Sequence, residues 1–282
     1  MKAEDTQKAL KKAGLERLAD SVQVLVQPAI SLKAAPVKDE AGLKAGISKI
    51  GGIPDLPQGQ QWPMKKDAPL SFVAQIRLDE VAPYDTNHRL PQQGMLWFFY
   101  DAKQETYGED PQDAGGWSVL YSSDIQHLQP ARVPTSLPQE ARFKTSTVGF
   151  DAMSTMSQQP QLEIADLAWN NDDQAKYDTV YASFTGKPST QPHHQMLGYP
   201  ETLQDDMRLQ CQMMTNGITD ADDPKVAELS KSANEWQLLL QVDSDERINM
   251  NWPGSGMLYY WIKLADLQAQ KFDSTWLVAQ SS

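Results

Sequence analysis

Residues 236–262 read WQLLLQVDSDERINMNWPGSGMLYYWI. An apolar strand carrying one glutamine, Gln241, reaches the acidic pair Asp245-Glu246, turns, and re-enters on Gly256-Met257-Leu258 followed by Tyr259-Tyr260-Trp261. The stretch from Leu70 to Tyr100 says much the same, with Gln75, the pair Asp79-Glu80, and Gly94-Met95-Leu96 followed by Trp97-Phe98-Phe99. Apolar residues alternating over a short span mark a half-buried strand, and strands rejoined by a turn pair antiparallel. The recurrence predicts an α+β protein of two similar, mainly antiparallel β units. This internal duplication is expected to form one compact body, with an N-terminal helix and short peripheral helices.

The two strands compare face by face. Leu70, Phe72, Ala74, Ile76 and Leu78 fall on one face of the first; Trp236, Leu238, Leu240 and Val242 keep the same phase in the second. Gln75 and Gln241 then both lie on the opposite face, and Arg77 matches Asp243. If the units pack about a pseudo-twofold axis, Gln75, Arg77, Gln241 and Asp243 meet near it. A buried amide must be hydrogen-bonded and a buried charge paired, so the four would satisfy one another. Such a junction is either a ligand pocket or a closed polar network that locks the halves, and the second reading is preferred. Asp245 and Glu246 adjoin it. With Asp243 they resemble a hard-metal or acid–base set, but the glycine turn and further oxygen ligands of a calcium loop are missing, so no metal is predicted.

Outward from these strands, composition restricts the function classes. A formal net charge of −12 argues against binding a phosphate backbone, an affinity that comes from clustered Lys and Arg, so nucleic acid is not an expected partner, whereas a basic protein is. No apolar run is long enough to span a bilayer, which takes about 18 residues or more, and the charged start MKAEDTQKALKKAGLERLADS has no signal core. The lone Cys211 can form no internal disulfide, which fits a reducing compartment. These features predict a cytoplasmic protein without membrane contact.

Along the chain, residues 1–47 read as an amphipathic helix from about Asp5 to Val26 and an extended lead-in broken by Pro28 and Pro36. Residues 48–128 form the first β repeat. It opens with the Gly- and Pro-rich loop from Ser48 to Pro63, which is expected to be rigid with Trp62 tucked inward. Residues 129–161, rich in Pro, Ser, Thr and Gln, read as a linker. Residues 162–282 carry a short helix at Leu162–Trp169, a break at Lys187–Pro192, a helix begun by Pro200, and another capped by Asp223. The second repeat follows and closes with a helix near Ala265–Phe272 and a strand at Trp276–Val278.

The segments GGIPDLPQGQQWP, PLSFVAQIRLDE, LPQQGMLWFFYD, GYPETLQDD, LLLQVDSDE and GMLYYWIKLADL, in this order from about Ser48 to the C-terminus, resemble the bacterial YwqG-like family of domains of unknown function. The resemblance implies an intracellular α+β protein with no established reaction or cofactor, some relatives being associated with toxin and immunity gene clusters. Where that family has a Trp-Gly-Asp-x-Gly turn, this chain has Trp252-Pro253-Gly254-Ser255-Gly256 and lacks the acidic side chain.

No catalytic signature is legible. There is no Gly-x-Ser-x-Gly elbow, Cys211 falls on an apolar helical stripe, and the adjacent His193 and His194 of an extended segment point apart. His88 and His127 lie among polar loop residues. The expected function is therefore non-enzymatic protein binding, such as neutralisation of a basic toxin or effector, without a cofactor. The alternative is a small-ligand site or an enzyme site at the repeat junction.

Overall fold

The computed structural model describes residues 3–185 and 191–282. In chain order its strands are β1 (Gln27–Pro36), β2 (Lys49–Ile50), β3 (Asp55–Leu56), β4 (Met64–Lys65), β5 (Ala68–Pro69), β6 (Ser71–Arg77) and β7 (Met95–Tyr100). They continue with β8 (Trp117–Ser122), β9 (Gln129–Pro130), β10 (Ser146–Thr155), β11 (His194–Met196), β12 (Trp236–Asp243), β13 (Met257–Lys263) and β14 (Trp276–Gln280). Ten of these form one antiparallel sheet in the order β14-β13-β12-β11-β1-β10-β2-β6-β7-β8. The remaining four pair as β3 with β9 and β4 with β5. With short helices around it, this is the mixed α+β class expected.

The sheet curls until its two edges approach. The Trp117 ring of β8 meets the Trp276 ring of β14 edge-on at 4.7 Å, and the Trp117 indole donates to Thr275 O at 3.0 Å. Ala279 N donates to Tyr107 O at 3.1 Å, and the Trp276 indole to Gly108 O at 3.1 Å. Gly108 is required at this seam: it sits at φ +77, and a Cβ there would stand 1.9 Å from Leu277 O. One apolar cluster fills the nearly closed barrel, linking Val119 of β8 to Leu277 of β14, with Phe98 against Tyr260 at 5.1 Å across the middle.

Local chemistry explains the central strands. Met95–Tyr100 and Met257–Ile262 are apolar at every position and buried at every position, because each strand has a neighbour on both sides and packing on both faces. Their partners β6 and β12 each carry a bulge, between Phe72 and Ala74 and between Leu238 and Leu240. A bulge inserts one extra residue and reverses the phase of everything after it. The single apolar face expected over Leu70–Leu78 is therefore split. Leu70 and Phe72 join an outer cluster with Leu56, Met95, Trp97 and Phe99, whereas Ala74, Ile76 and Leu78 join the inner core.

Three expectations for peripheral segments are corrected. The N-terminal helix is broken: Ala3–Lys12 and Ala19–Gln23 are separated around Gly14 at φ +76, and together they pack on the helix Asp173–Thr185. The helix expected from Pro200 is confined to Arg208–Thr215. Residues 129–161 are not simply a linker, because they contain β10, which pairs with β1 over its full length from Gln27↔Thr155 to Pro36↔Ser146. Pro28 and Pro36 are tolerated in β1 because they sit at its ends. The break expected at Lys187–Pro192 falls largely outside the described residues.

Candidate functional site

Gln75 and Gln241 are both fully buried, and each is bonded within its own half of the sheet. Gln75 Oε1 accepts from Asp55 N at 2.7 Å, and its Nε2 donates to Ile47 O and Asp55 Oδ2, both at 2.8 Å. Gln241 Oε1 accepts from Glu201 N at 2.9 Å, and its Nε2 donates to His193 O at 2.8 Å. The strands β11, β1, β10 and β2 lie between the two, a path of roughly 24 Å along the curved sheet at about 4.8 Å per strand. The expected convergence of Gln75, Arg77, Gln241 and Asp243 does not occur. The bulges put both glutamines on the outer face, where each clamps a loop.

The other predicted residues follow the same division. Arg77 donates to Asp79 Oδ1 at 2.6 Å and its backbone N–H to Ser48 Oγ at 2.8 Å. Asp243 Oδ2 accepts from His193 N at 2.9 Å, and burial raises its pKa. Asp245 is bonded by Arg247 at 2.8 Å; burial works to raise its pKa, but the guanidinium outweighs it and the carboxyl is lowered. Glu246 is exposed.

The two glutamines sit in different electrical surroundings. Opposite Gln75 stands Lys49, 3% exposed, whose ammonium lies 2.9 Å from Glu40 Oε1 and 3.1 Å from Asp55 Oδ2. Opposite Gln241 stands the neutral Gln195, which donates to Leu197 O and Tyr199 O. Beside it, the hydrogen bond that His193 Nδ1 donates to the Glu201 carboxylate raises the pKa of His193. His194 is neutral, its pKa pushed down to about 4 by burial. Its Nδ1 accepts from Asp243 N at 3.1 Å, so the proton is on Nε2, which has no partner among the described residues.

At Tyr199, whose carbonyl Gln195 holds, opens a cleft of about 230 Å³. Its walls carry the amides of Gln27, Gln158, Asn234 and Gln237, the Tyr199 hydroxyl and the ring of Trp261. The lining also carries charge: Arg208 grips Glu163 with two bonds of 2.8 and 2.6 Å and Asp206 with a third of 2.8 Å, one cation against two carboxylates. Gln27 donates to the Tyr199 hydroxyl at 3.2 Å. Trp261 is 2% exposed, and its indole N–H has no partner among the described residues. Another cleft, of about 210 Å³, lies in the first half, beside Gly52, Trp62 and Phe72.

Residues 48–280 match the model of a domain of unknown function, DUF1963. The chain belongs to this family. A comparison with curated proteins found no match. The DUF1963 match takes in both glutamines and the greater part of both clefts, whereas the whole of β1, with Gln27 at its start, precedes it.

The remaining sequence candidates of this DUF1963 chain are placed as follows. Cys211 is buried and its thiol pushed well above the ordinary range by that burial. His88 and His127 occupy turns at φ +49 and +60. Among the described residues no group of three His, Cys, Asp or Glu side chains could hold a metal ion, and no helix is long and apolar enough to cross a membrane. Trp252 is buried, its indole donating to Val242 O at 3.0 Å, while Ser255 holds φ +51 in the turn whose acidic residue is absent. Trp261 and Arg208 were not singled out by sequence reasoning. An unpaired indole N–H and a guanidinium matched to a helix 45 residues upstream have no local signature.

Proposed function

We propose that this chain binds a small, neutral, polar metabolite in the cleft of its second half. The observation that carries the reading is Trp261, which lines a cleft rich in amides and hydroxyls and whose buried indole N–H has no partner among the described residues. A buried donor left unmade costs about 1–3 kcal/mol, and a ligand acceptor would recover it. Amides offer both donors and acceptors, and the one cation of the wall, Arg208, is already held by Glu163 and Asp206, so the walls suit hydroxyl- or amide-bearing molecules over anionic ones. At about 230 Å³ the space is below that of drug-sized sites, which start near 300 Å³.

The test is a thermal-shift and calorimetric screen of neutral polyols, monosaccharides and amides against the wild type and Trp261→Phe. The smaller ring costs some core packing, but the variant should stay folded while binding of any hit weakens about tenfold, the value of one hydrogen bond at roughly 1.4 kcal/mol. A screen without hits, or hits indifferent to Trp261→Phe, would overturn the reading.

The internal duplication belongs to the same proposal. Read outward from the central β1–β10 pair, the sheet runs β11, β12, β13, β14 on one side and β2, β6, β7, β8 on the other. The bulges fall two residues before Gln75 and Gln241, and each glutamine bonds a backbone N–H and a backbone C=O of corresponding loops. YwqG-like membership and a cytoplasmic location are proposed with it, the first on the ordered motifs and the second on the single buried Cys211. A second reading, neutralisation of a basic toxin or effector, draws support from the net charge of −12. Recovery of one stoichiometric basic protein in a pull-down from the native host would favour it.

A further inference from the structure

We propose that the first-half cleft is a binding site for small apolar carboxylic acids, and that the chain's own Glu40 occupies the place of the ligand's carboxylate. This does not rest on the reading of the other cleft. Glu40 Oε1 accepts from Lys49 Nζ at 2.9 Å and from Ile53 N at 3.0 Å, and Oε2 lies 3.2 Å from the same N–H. The socket is closely fitted. Gly52 sits at φ +79, and a Cβ there would stand 2.5 and 2.7 Å from the two Glu40 oxygens and 2.1 Å from Thr145 Oγ1. A glycine that lets backbone and anion approach, an amide donor and a buried ammonium together make a carboxylate receptor.

Glu40 is an occupant that can leave. It comes from residues 37–47, which form only turns and bends, and its side chain is 26% exposed. Its departure strands no charge, because Lys49 keeps Asp55 at 3.1 Å, and Asp55 keeps Gln75 and the Gly46 N–H. Exchange of one carboxylate for another is then neutral in charge, which avoids the cost of an unpaired buried ion. Beyond the socket the cleft of about 210 Å³ is apolar, walled by Trp62, Phe72, Leu137 and Phe143, with Arg142 and Lys144 at its rim. In a chain of net charge −12 this local excess of cations would draw in an anion. The second half lacks the receptor: Gln195 replaces Lys49, and Thr155 Oγ1, not a carboxylate, lies against Gly198 and accepts from Tyr199 N at 2.8 Å.

A tethered competitor acts at an effective concentration in the millimolar range, so the wild type should bind such acids only weakly. Benzoate is the probe and benzamide its neutral control, both followed by calorimetry. Glu40→Ala should bind benzoate at least about tenfold more tightly than the wild type, because the competing state is removed. Benzamide should not gain, and the double variant E40A/K49Q, which copies the second half, should lose the gain. A folded Glu40→Ala that binds benzoate no better than wild type, or binds benzamide equally, overturns the proposal. Should that variant fail to fold, amide NMR on the wild type decides. Benzoate titrated to millimolar excess should shift the Gly52 and Ile53 N–H signals, and unmoved signals overturn the proposal equally.

Discussion

At the scale of the residue, Gln75 and Gln241 act as clamps. Each fills a buried position on a strand and satisfies one backbone N–H and one backbone C=O of a loop that cannot pair with the sheet. Gln241→Ala would leave Glu201 N and His193 O unpaired, so a loss of about 2–4 kcal/mol is expected in chemical denaturation, without loss of binding in the neighbouring cleft. His194 makes a second prediction. Its folded pKa of about 4 lies below the ordinary value of 6.5, so the unfolded chain takes up the proton first. The neutral ring's contribution is present in full above pH 6.5 and falls away as pH drops toward 4, a total of roughly 3 kcal/mol. The charged groups that act on it, Asp245, Arg247 and His193, are retained in His194→Asn, whose side-chain oxygen can still accept from Asp243 N. Denaturation midpoints measured from pH 7 to 4 should therefore fall less steeply in the variant than in wild type. The sequence marked these glutamines as polar residues inside apolar strands, but it could not say which loop each one holds.

At the scale of the element, two bulges and one glycine shape the sheet. The bulges at Phe72/Ala74 and Leu238/Leu240 let one strand contribute first to an outer cluster and then to the inner core. Alternation read from the sequence assumes an unbroken pleat, so it gave the right strands and the wrong partition of faces. β10 was missed for another reason: Ser146–Thr155 is rich in Ser and Thr and only partly buried, a composition that a linker shares. Gly108 controls the seam, and Gly108→Ala should cost well over about 1 kcal/mol, because both its positive φ and the space beside Leu277 O are lost. Thermal unfolding checks this, and a variant as stable as wild type would show that the seam is not under constraint there.

At the scale of the whole molecule, the apolar cluster that joins Val119 to Leu277 ties both ends of the sheet into one body. Unfolding should therefore be a single transition, with calorimetric and van't Hoff enthalpies equal and tryptophan fluorescence coincident with far-UV dichroism. Two separated transitions would contradict a shared core. The edge contact makes a sharper test. Trp117→Ala and Trp276→Ala should each destabilise by about 3–5 kcal/mol, and together by less than the sum, by about 0.5–3 kcal/mol, because their rings meet at 4.7 Å.

The sequence by itself determined the strands Met95–Tyr100 and Met257–Lys263, the recurrence of Gln75 and Gln241 within matching strands, and the α+β class, because apolar periodicity and turn residues act over a few neighbours. Only the tertiary structure decided that four strands separate the two glutamines, that Glu40 reaches Lys49, and that Trp261 borders a polar cleft. Those facts depend on strand order and on where bulges reverse the pleat. Both are set by the packing of segments far apart in the chain.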